Sequence, residues 1–301
     1  MDAPDVAAPA RPVRRRRWLR RLYTYGSIYL IAMLASFGCH LADQLILFPT
    51  RHPIGIGQAE RKLFDIPSGK LEIITARSRA AAAAATQPQA FVLEFTGNAT
   101  RAEEIAEYAA WNWQKHPVEV WAVNYPGYGG STGPARMKAI AQTSLIAYDR
   151  LREAAGDRPI FIAGNSLGTT AALHVAANRE VAGVMLTNPP PLRQLIRGHH
   201  GWWNAWLLAV PVSFGVPAEL DSIANARRAR APAIFVTSSR DEVVPLKYQQ
   251  RVADAYGGEK RVLSRENANH NDAIEGSDQA WMTQQIDWLW THAETRKPAA
   301  P

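Results

Sequence analysis

Short apolar runs alternate with segments of helical periodicity from about residue 60 onwards. Five runs of five to seven residues lack polar alternation, which is typical of strands buried on both faces of a parallel sheet. They cover residues 90–95, 118–124, 159–163, 181–187 and 233–237. Helical patterns lie between them at 101–115, 135–155, 167–178 and 246–256. The alternation predicts an α/β fold, with a mainly parallel central sheet flanked by helices.

The ends of this repeating pattern predict further elements. Residues 61–66 and 70–76, joined by Pro67-Ser68-Gly69, favour an opening hairpin, and 260–263 and 278–292 favour a last strand and a closing helix. The link at 78–89 contains six consecutive alanines, for which a short helix is the alternative, and we expect it to be a mobile loop. One domain is therefore predicted over residues 40–295, with an insertion at about 188–231 and a short tail at 296–301.

The N-terminal segment joins a basic stretch to an uncharged one. Residues 1–21 carry seven arginines and two aspartates, whereas residues 22–39 carry no charge. The uncharged stretch is close to the length of a bilayer span, and cations before such a stretch favour keeping the N-terminus in the cytoplasm. We expect a membrane anchor helix over 22–39, with the domain on the extracytoplasmic side. The alternative is a helix buried against the domain.

Two export patterns compete with an uncleaved anchor. The run Arg15-Arg16-Arg17-Trp18-Leu19-Arg20 resembles the twin-arginine pattern, which arginine-rich leaders match easily by chance. Cys39 stands where the acylated cysteine of a lipoprotein would stand, although Ser36 and Phe37 fit that pattern poorly. We favour the uncleaved anchor and keep a lipoprotein at Cys39 as the minor alternative.

Composition limits the remaining function classes. With 47% hydrophobic residues among 301, the chain is too apolar to be disordered over most of its length. Its single cysteine excludes a disulfide framework and a thiolate metal site built by this chain alone. Five of its seven net positive charges belong to residues 1–21. The basic balance is therefore terminal and does not indicate a nucleic-acid partner.

The strongest chemical signal is a serine between two glycines. Gly164-Asn165-Ser166-Leu167-Gly168 follows an apolar run and precedes the helical pattern at 167–178. A nucleophilic serine needs a tight strand-to-helix turn that lifts its hydroxyl clear of the sheet, and small residues two positions away let the backbone pass closely. The alternative is a helix N-cap serine flanked by glycines by chance. The strand–turn–helix context favours the nucleophile.

Four blocks of sequence now resemble the α/β-hydrolase superfamily. Within it, the chain is most similar to the branch of small serine hydrolases that includes fungal bud-emergence-type proteins and animal protein depalmitoylases. The blocks are an entry segment Leu47-Phe48-Pro49-Thr50, an oxyanion loop Phe95-Thr96-Gly97-Asn98-Ala99, a glycine-rich turn from Asn124 to Gly133, and the serine turn itself. One departure is Thr96, where the family usually has histidine.

The fold implied by this resemblance places the acid and the base of a catalytic triad after the serine, in that order. Asp241 lies in Ser238-Ser239-Arg240-Asp241-Glu242, which resembles the family's acid loop, and Glu242 is its local competitor. His270 is the one histidine in the loop after the last predicted strand. We predict the triad Ser166–Asp241–His270 and an oxyanion site at the backbone N–H groups of Asn98 and Leu167. This chemistry needs no cofactor and no metal.

The insertion carries the expected determinants of substrate choice. In the resembled fold a cap lies above the serine, and here the insertion contains Trp202, Trp203 and Trp206. These side chains are candidates for an apolar substrate wall, and the alternative is simple packing on the end of the sheet.

The function expected from these observations is a membrane-anchored serine hydrolase that cleaves an acyl ester or thioester through an acyl-enzyme. Its partners would be a small-molecule or lipid acyl substrate and the membrane. A catalytically idle scaffold that serves as an envelope binding module is the alternative from another class. A serine peptidase on the same fold is a weaker one.

Overall fold

The computed structural model describes residues 13–38, 40–83, 87–199, 201–202 and 207–295. Cys39, Trp203, Trp206 and the tail at 296–301 lie outside the described residues, as does the part of the basic segment before residue 13. The interpretations that fall on those residues therefore stay predictions.

The core of the molecule is one eight-stranded sheet with the order β1-β2-β4-β3-β5-β6-β7-β8. Strand β2 runs antiparallel to both β1 and β4, and all other neighbours are parallel. The strands are β1 Glu60–Ile66, β2 Gly69–Arg77, β3 Ala90–Phe95, β4 Val118–Val123, β5 Ile160–Asn165, β6 Gly183–Thr187, β7 Ala233–Ser238 and β8 Lys260–Arg265. The predicted hairpin, the five apolar strands and the last strand all form. The five apolar strands form because a run without alternation removes apolar surface from water on both faces of the sheet.

Helices cover both faces of the sheet. They are α1 Val13–Gly38, α2 Leu41–Ile46, α3 Arg79–Ala83, α4 Ala102–Asn112, α5 Met137–Ala155, α6 Leu167–Asn178, α7 Leu192–Gly198, α8 Ala209–Phe214, α9 Ser222–Arg228, α10 Leu246–Ala255 and α11 Gly276–Thr295. Helices α4 and α11 pack on one face, in one hydrophobic cluster. Helices α5, α6, α9 and α10 pack on the other face, in a second cluster that also receives α8.

The alanine-rich link differs from its prediction. Residues Arg79–Ala83 form the short helix α3, with Ala81 fully buried. The backbone N–H of Ala81 donates to the hydroxyl of Ser78, which therefore caps the first turn. The prediction of a mobile loop is wrong for these residues, because burial of an alanine face and a cap together stabilise a turn that alanine propensity alone would leave marginal.

The insertion forms helices α7, α8 and α9, together with a 3-10 turn at Ala218–Leu220. It leaves the sheet after β6 and returns to it at β7. Buried residues of α7 and α8 belong to the same hydrophobic cluster as α5 and α6. The segment is thus packed onto the domain at the end of the sheet where strands β5 and β6 finish.

The N-terminal segment departs most from expectation. Helix α1 begins within the arginine run and includes the uncharged stretch as far as Gly38. It contacts α2 and α8, and of its side chains at 17–31 nearly all are exposed. No helix in the described part of the chain combines the length and the apolarity of a membrane span. The polar residues Tyr23, Thr24, Tyr25 and Ser27 dilute the stretch too much, so the predicted transmembrane anchor is not supported.

Candidate active site

Ser166 occupies a strained turn between strand β5 and helix α6. Its backbone has φ 50° and ψ −119°, a conformation that L-residues rarely adopt. The turn requires both flanking glycines. A Cβ on Gly164 would lie 2.6 Å from the carbonyl oxygen of Gly168, and a Cβ on Gly168 would lie 2.1 Å from that of Phe95. The start of α6 therefore packs directly on the end of β3, and the serine projects beyond the sheet.

Three side chains that are distant in sequence form one hydrogen-bonded row. Ser166 Oγ lies 3.0 Å from Nε2 of His270, and Nδ1 of His270 lies 2.6 Å from Oδ2 of Asp241. An ionised carboxylate accepts hydrogen bonds and cannot donate them, so Nδ1 carries the proton and Nε2 is left to accept from the serine. This is the geometry of a nucleophile beside an oriented general base.

Both oxygens of the Asp241 carboxylate accept hydrogen bonds. Its side chain is fully buried, and Oδ1 accepts the backbone N–H groups of Val243 and Val244 at 2.9 and 2.7 Å. Oδ2 also accepts the side-chain amide of Gln249 at 3.0 Å. Glu242, the alternative acid, is exposed. Sequence reasoning missed Gln249, which lies in an ordinary helical pattern and carries no local signal.

The loop that carries His270 is fixed by a residue of the next strand end. Asn188 follows β6 with φ 50° and donates its side-chain amide to the carbonyl of His270 at 3.0 Å. Its own side-chain oxygen accepts the hydroxyl of Ser238 at 2.9 Å. Asn188 thus joins the ends of β6 and β7 to the histidine loop. The only local signal for this role is an asparagine directly before three prolines, where the insertion begins.

The predicted oxyanion donors lie beside the serine. Within the described residues, neither backbone N–H, of Asn98 or of Leu167, donates a hydrogen bond to another protein group. A Cβ on Gly97 would lie 3.8 Å from Cβ of Ser166, so the loop after β3 runs in contact with the nucleophile. Unpaired N–H groups at this position are available to an oxyanion formed at Ser166.

The Asn98 side chain fastens this loop to two other segments. Its oxygen accepts the backbone N–H of Phe48 at 3.0 Å and the hydroxyl of Tyr128 at 3.0 Å. Its amide nitrogen donates to the carbonyl of Ile46. The glycine-rich turn and the entry segment, recognised separately in the sequence, are therefore tied to the oxyanion loop through one side chain.

Thr96 stands where the resembled family has histidine. Its backbone carbonyl accepts the hydroxyl of Tyr125 at 3.0 Å. Its own hydroxyl is buried and has no hydrogen-bond partner among the described residues. The backbone bond from Tyr125 therefore holds this part of the loop, and the substituted side chain contributes no polar contact.

An apolar cavity of about 480 Å³ opens at Ser166. Helix α2 and the insertion, together with Phe48 of the entry segment, supply most of its walls. Its lining residues are Leu45, Ile46, Phe48, Asn98, Ser166, Leu167, Pro190, Leu192, Leu195, Ile196, Leu208, Ala209, Val212, Val243 and Val244. Trp202 is not among them and is 72% exposed. Aliphatic side chains of α7 and α8 form the described part of this wall, and the interpretation of Trp203 and Trp206 as wall residues stays a prediction.

Comparison with known proteins agrees with this architecture. Residues 95–288, well over half of the chain, match the model of the alpha/beta hydrolase family. The chain belongs to this family. The match begins at the last residue of β3 and includes Ser166, Asp241 and His270.

Two solved structures of other α/β-hydrolases illustrate the shared fold. An esterase of Pyrococcus furiosus, PF2001, superimposes with a TM-score of 0.62 at 15% identity, covering 82% of this chain and 98% of the esterase. Est1E from Butyrivibrio proteoclasticus gives a TM-score of 0.60 at 11% identity, covering 78% and 99%. At such identities the likeness concerns the fold alone.

A curated relative from Mycobacterium tuberculosis, the uncharacterized protein Rv2307c, is 26% identical over 158 residues. That match covers 52% of this chain and 54% of the relative. The chain thus aligns with only about half the length of this relative. The branch suggested by the four sequence blocks remains a prediction.

Proposed function

We propose that this α/β-hydrolase is a serine esterase or thioesterase that forms an acyl-enzyme at Ser166. The observation that carries the proposal is the position of the Ser166 hydroxyl. It lies at the mouth of an apolar cavity and 3.0 Å from the imidazole of His270, which is itself bonded to buried Asp241. A nucleophile, a base and an apolar site for an acyl chain therefore meet at one atom.

The proposed reaction has two acyl transfers. Ser166 Oγ attacks the acyl carbon while His270 Nε2 takes the hydroxyl proton, and the imidazolium is stabilised by Asp241. The oxyanion accepts the N–H groups of Asn98 and Leu167. When the bond to the leaving oxygen or sulfur breaks, that atom takes the proton from His270. Water then attacks the acyl-enzyme with the same base, and the free acid leaves.

A fluorophosphonate probe tests the nucleophile directly. The wild type is expected to be labelled with loss of p-nitrophenyl ester hydrolysis, whereas Ser166→Ala is expected to lose labelling and several orders of magnitude in kcat. Ser264→Ala is a matched control, because Ser264 is exposed on β8, outside the row of three side chains. Labelling of folded Ser166→Ala, or its unchanged hydrolysis, would contradict the assignment. Absence of labelling in the wild type would favour the idle binding module.

We further propose that the domain works at a lipid surface without spanning it. Four large hydrophobic residues that line the cavity are also exposed at the surface of the domain. They are Leu45, Phe48 (58% exposed), Leu208 and Val243 (53% exposed). These four form the entrance rim. Helix α1 contacts α2 and α8, which both contribute to this cavity. An apolar rim beside a helix with exposed apolar side chains suits insertion into the boundary region of a bilayer.

The charge of α1 favours anionic lipid as the occupant of this surface. Arg17, Arg20 and Arg21 are exposed on the same helix as exposed Leu22, Ile28 and Ile31. Each arginine near an anionic membrane contributes about 1 kcal/mol. The arginines therefore argue for attraction to the lipid head groups, and the side of the membrane is a separate question of export.

Vesicle flotation tests this attachment. The full chain is expected to float with phosphatidylserine-containing vesicles, to float less with neutral phosphatidylcholine vesicles, and to be released by salt. Neutralising Arg17, Arg20 and Arg21 to Gln is expected to weaken binding up to about 100-fold, from about 1 kcal/mol per charge. Concentration-dependent dimerisation with no flotation would contradict the proposal, because a second copy would then cover the rim.

A further inference from the structure

A second cavity, of about 360 Å³, adjoins the first across the active-site loops. The two cavities share no lining residue, yet neighbours in sequence divide between them. Gly97 lines the second cavity and Asn98 the first, and Asn165 lines the second and Ser166 the first. His270 also lines the second cavity. The serine–histidine pair therefore lies at the boundary between an apolar cavity and this other space.

Glu94 is the unusual residue of the second cavity. It lies on β3, paired in register with Ala122 on one side and Ala163 on the other. These two alanines belong to the apolar layer beneath α4 and α11. Small neighbours on both strands leave room beside the Glu94 side chain, and the cavity occupies this face of the sheet.

The Glu94 carboxyl has no partner. It forms no hydrogen bond and no ion pair with any described residue, and burial raises its pKa to about 8. Its side chain is partly buried and lines the cavity, so the carboxyl faces the cavity and not a protein partner. The neighbouring positions on the same face of the sheet are apolar. A carboxyl without a protein partner, in the wall of a cavity beside a catalytic base, is open to a ligand.

The one cation in the cavity wall does not neutralise Glu94. Arg265 directs its guanidinium to the carboxylate of Asp278, at 3.2 Å, and to the backbone carbonyls of Asp272 and Ala273. Asp272 also lines the cavity. When Glu94 is ionised, the cavity thus carries uncompensated negative charge. Tyr108 adds an aromatic ring to its wall, and aromatic rings also attract cations.

The direction of the reaction assigns the two cavities to different parts of the substrate. The leaving atom must lie where His270 can return its proton, so the group attached to that atom starts beside the histidine. His270 lines the second cavity and not the apolar one. The acyl chain, by contrast, prefers the apolar walls.

We propose that the second cavity receives the leaving group of the substrate and that Glu94 binds an ammonium group carried by it. This inference rests on the proposed function, because it assumes acyl transfer at Ser166. It narrows the substrate class to acyl esters or thioesters of an alcohol or thiol that bears a cation.

Two thioesters of identical shape test the proposal. Butyrylthiocholine releases a thiol that carries a trimethylammonium group, and S-(3,3-dimethylbutyl) thiobutyrate replaces its nitrogen by carbon. The released thiol is measured with a chromogenic disulfide at pH 8.5, above the pKa of Glu94. We expect wild-type kcat/KM to be at least tenfold higher for the cationic thioester. Equal values for the two would overturn the proposal.

The variant Glu94→Gln keeps the shape of the side chain and removes its charge. We expect it to reduce the ratio of the two kcat/KM values to about one. Glu153→Gln is the matched control, because Glu153 is an exposed residue of α5 far along the chain from the site, and it is expected to keep the wild-type ratio. An unchanged ratio in Glu94→Gln would also overturn the proposal.

Binding of choline separates this inference from the proposed function. If neither thioester is hydrolysed and the fluorophosphonate probe also fails to label Ser166, the acyl-transfer proposal fails, and the cavity is then tested by the rise in Tm that choline chloride produces over an equal concentration of sodium chloride. A rise in the wild type and in Ser166→Ala, absent from Glu94→Gln, supports a cation site at Glu94. The same rise in all three variants, or none in any, overturns it.

Discussion

The two cavities beside Ser166 differ in how they are built. The apolar cavity is walled mainly by segments outside the sheet: the entry segment and helices α7 and α8. The second cavity is walled by the sheet's own strand ends and by the loops and helices that pack on them, with Glu94 in β3 itself. The first is built by helices that pack onto the domain from outside the sheet, whereas the second is fixed by the strands themselves. This difference suits a variable acyl chain on one side and a defined polar group on the other.

The largest effect on kcat should come from the catalytic triad, which lies between the two cavities. Asp241→Asn is expected to lower kcat about 10⁴-fold, because His270 loses both its preferred tautomer and the charge that stabilises it. Glu242→Gln is the control and is expected to remain within about twofold, since Glu242 is exposed. Steady-state hydrolysis of a p-nitrophenyl ester measures both. Comparable losses in the two variants would show that Asp241 is not the acid.

The apolar cavity should respond to acyl-chain length alone. Leu195→Trp fills space between α7 and the serine, and exclusion of three or four methylenes at about 0.8 kcal/mol each is worth about 100-fold in kcat/KM. We expect this loss for octanoyl but not for acetyl p-nitrophenyl ester. Leu63→Trp is the control, because Leu63 is exposed on β1, remote from the cavity lining. An equal loss for both esters would point to damage at Ser166 instead.

The second cavity should appear in the pH dependence of stability. The folded-state pKa of Glu94 is about 8, above its ordinary value of 4.5, so the native state holds its proton more tightly than the unfolded state does. Protonated Glu94 therefore contributes fully to the free energy of unfolding below pH 4.5. This contribution is lost as the pH rises to about 8.

Glu94→Gln removes this loss. Between pH 5 and pH 8.5 the variant is expected to gain about 2 kcal/mol relative to the wild type, less than the full pKa shift implies, because the carboxyl faces a cavity that admits water. Urea unfolding at both pH values measures the difference. A constant difference between wild type and variant would mean that Glu94 titrates normally.

A smaller effect on kcat is expected from the Asn98 side chain, which anchors the oxyanion loop. Asn98→Ala removes the side-chain bonds to Phe48, Tyr128 and Ile46 but keeps the backbone N–H. We expect kcat to fall about tenfold with KM little changed, since a misplaced donor weakens the transition state more than substrate binding. Tyr128→Phe removes one of these bonds and should fall between Asn98→Ala and the wild type. A rise in KM at constant kcat would mean that Asn98 serves substrate binding and does not position the oxyanion donor.

Most strands of the sheet could be predicted from the sequence because the patterns that specify them are local. Unbroken apolar runs specify strands that are buried on both faces, and Gly-x-Ser-x-Gly after such a run specifies the turn at Ser166. The order of Ser166, Asp241 and His270 along the chain predicted that they would meet, and the structure places them within hydrogen-bonding distance. Each of these predictions depends on residues close in sequence or on the fixed order of parallel strands.

Tertiary structure decided what depends on contacts between distant segments. Burial of Ala81 stabilises a helix in an alanine run that was expected to be mobile. Hydrogen bonds with Ile46, Phe48 and Tyr128 make the Asn98 side chain the anchor of the oxyanion loop. Glu94 reads in the sequence as one polar residue in an apolar run. Only the alanines on the neighbouring strands, and the engagement of Arg265 elsewhere, leave its carboxyl alone beside the histidine loop. A local pattern records what each residue prefers, whereas isolation or pairing of a charge is a property of everything that packs around it.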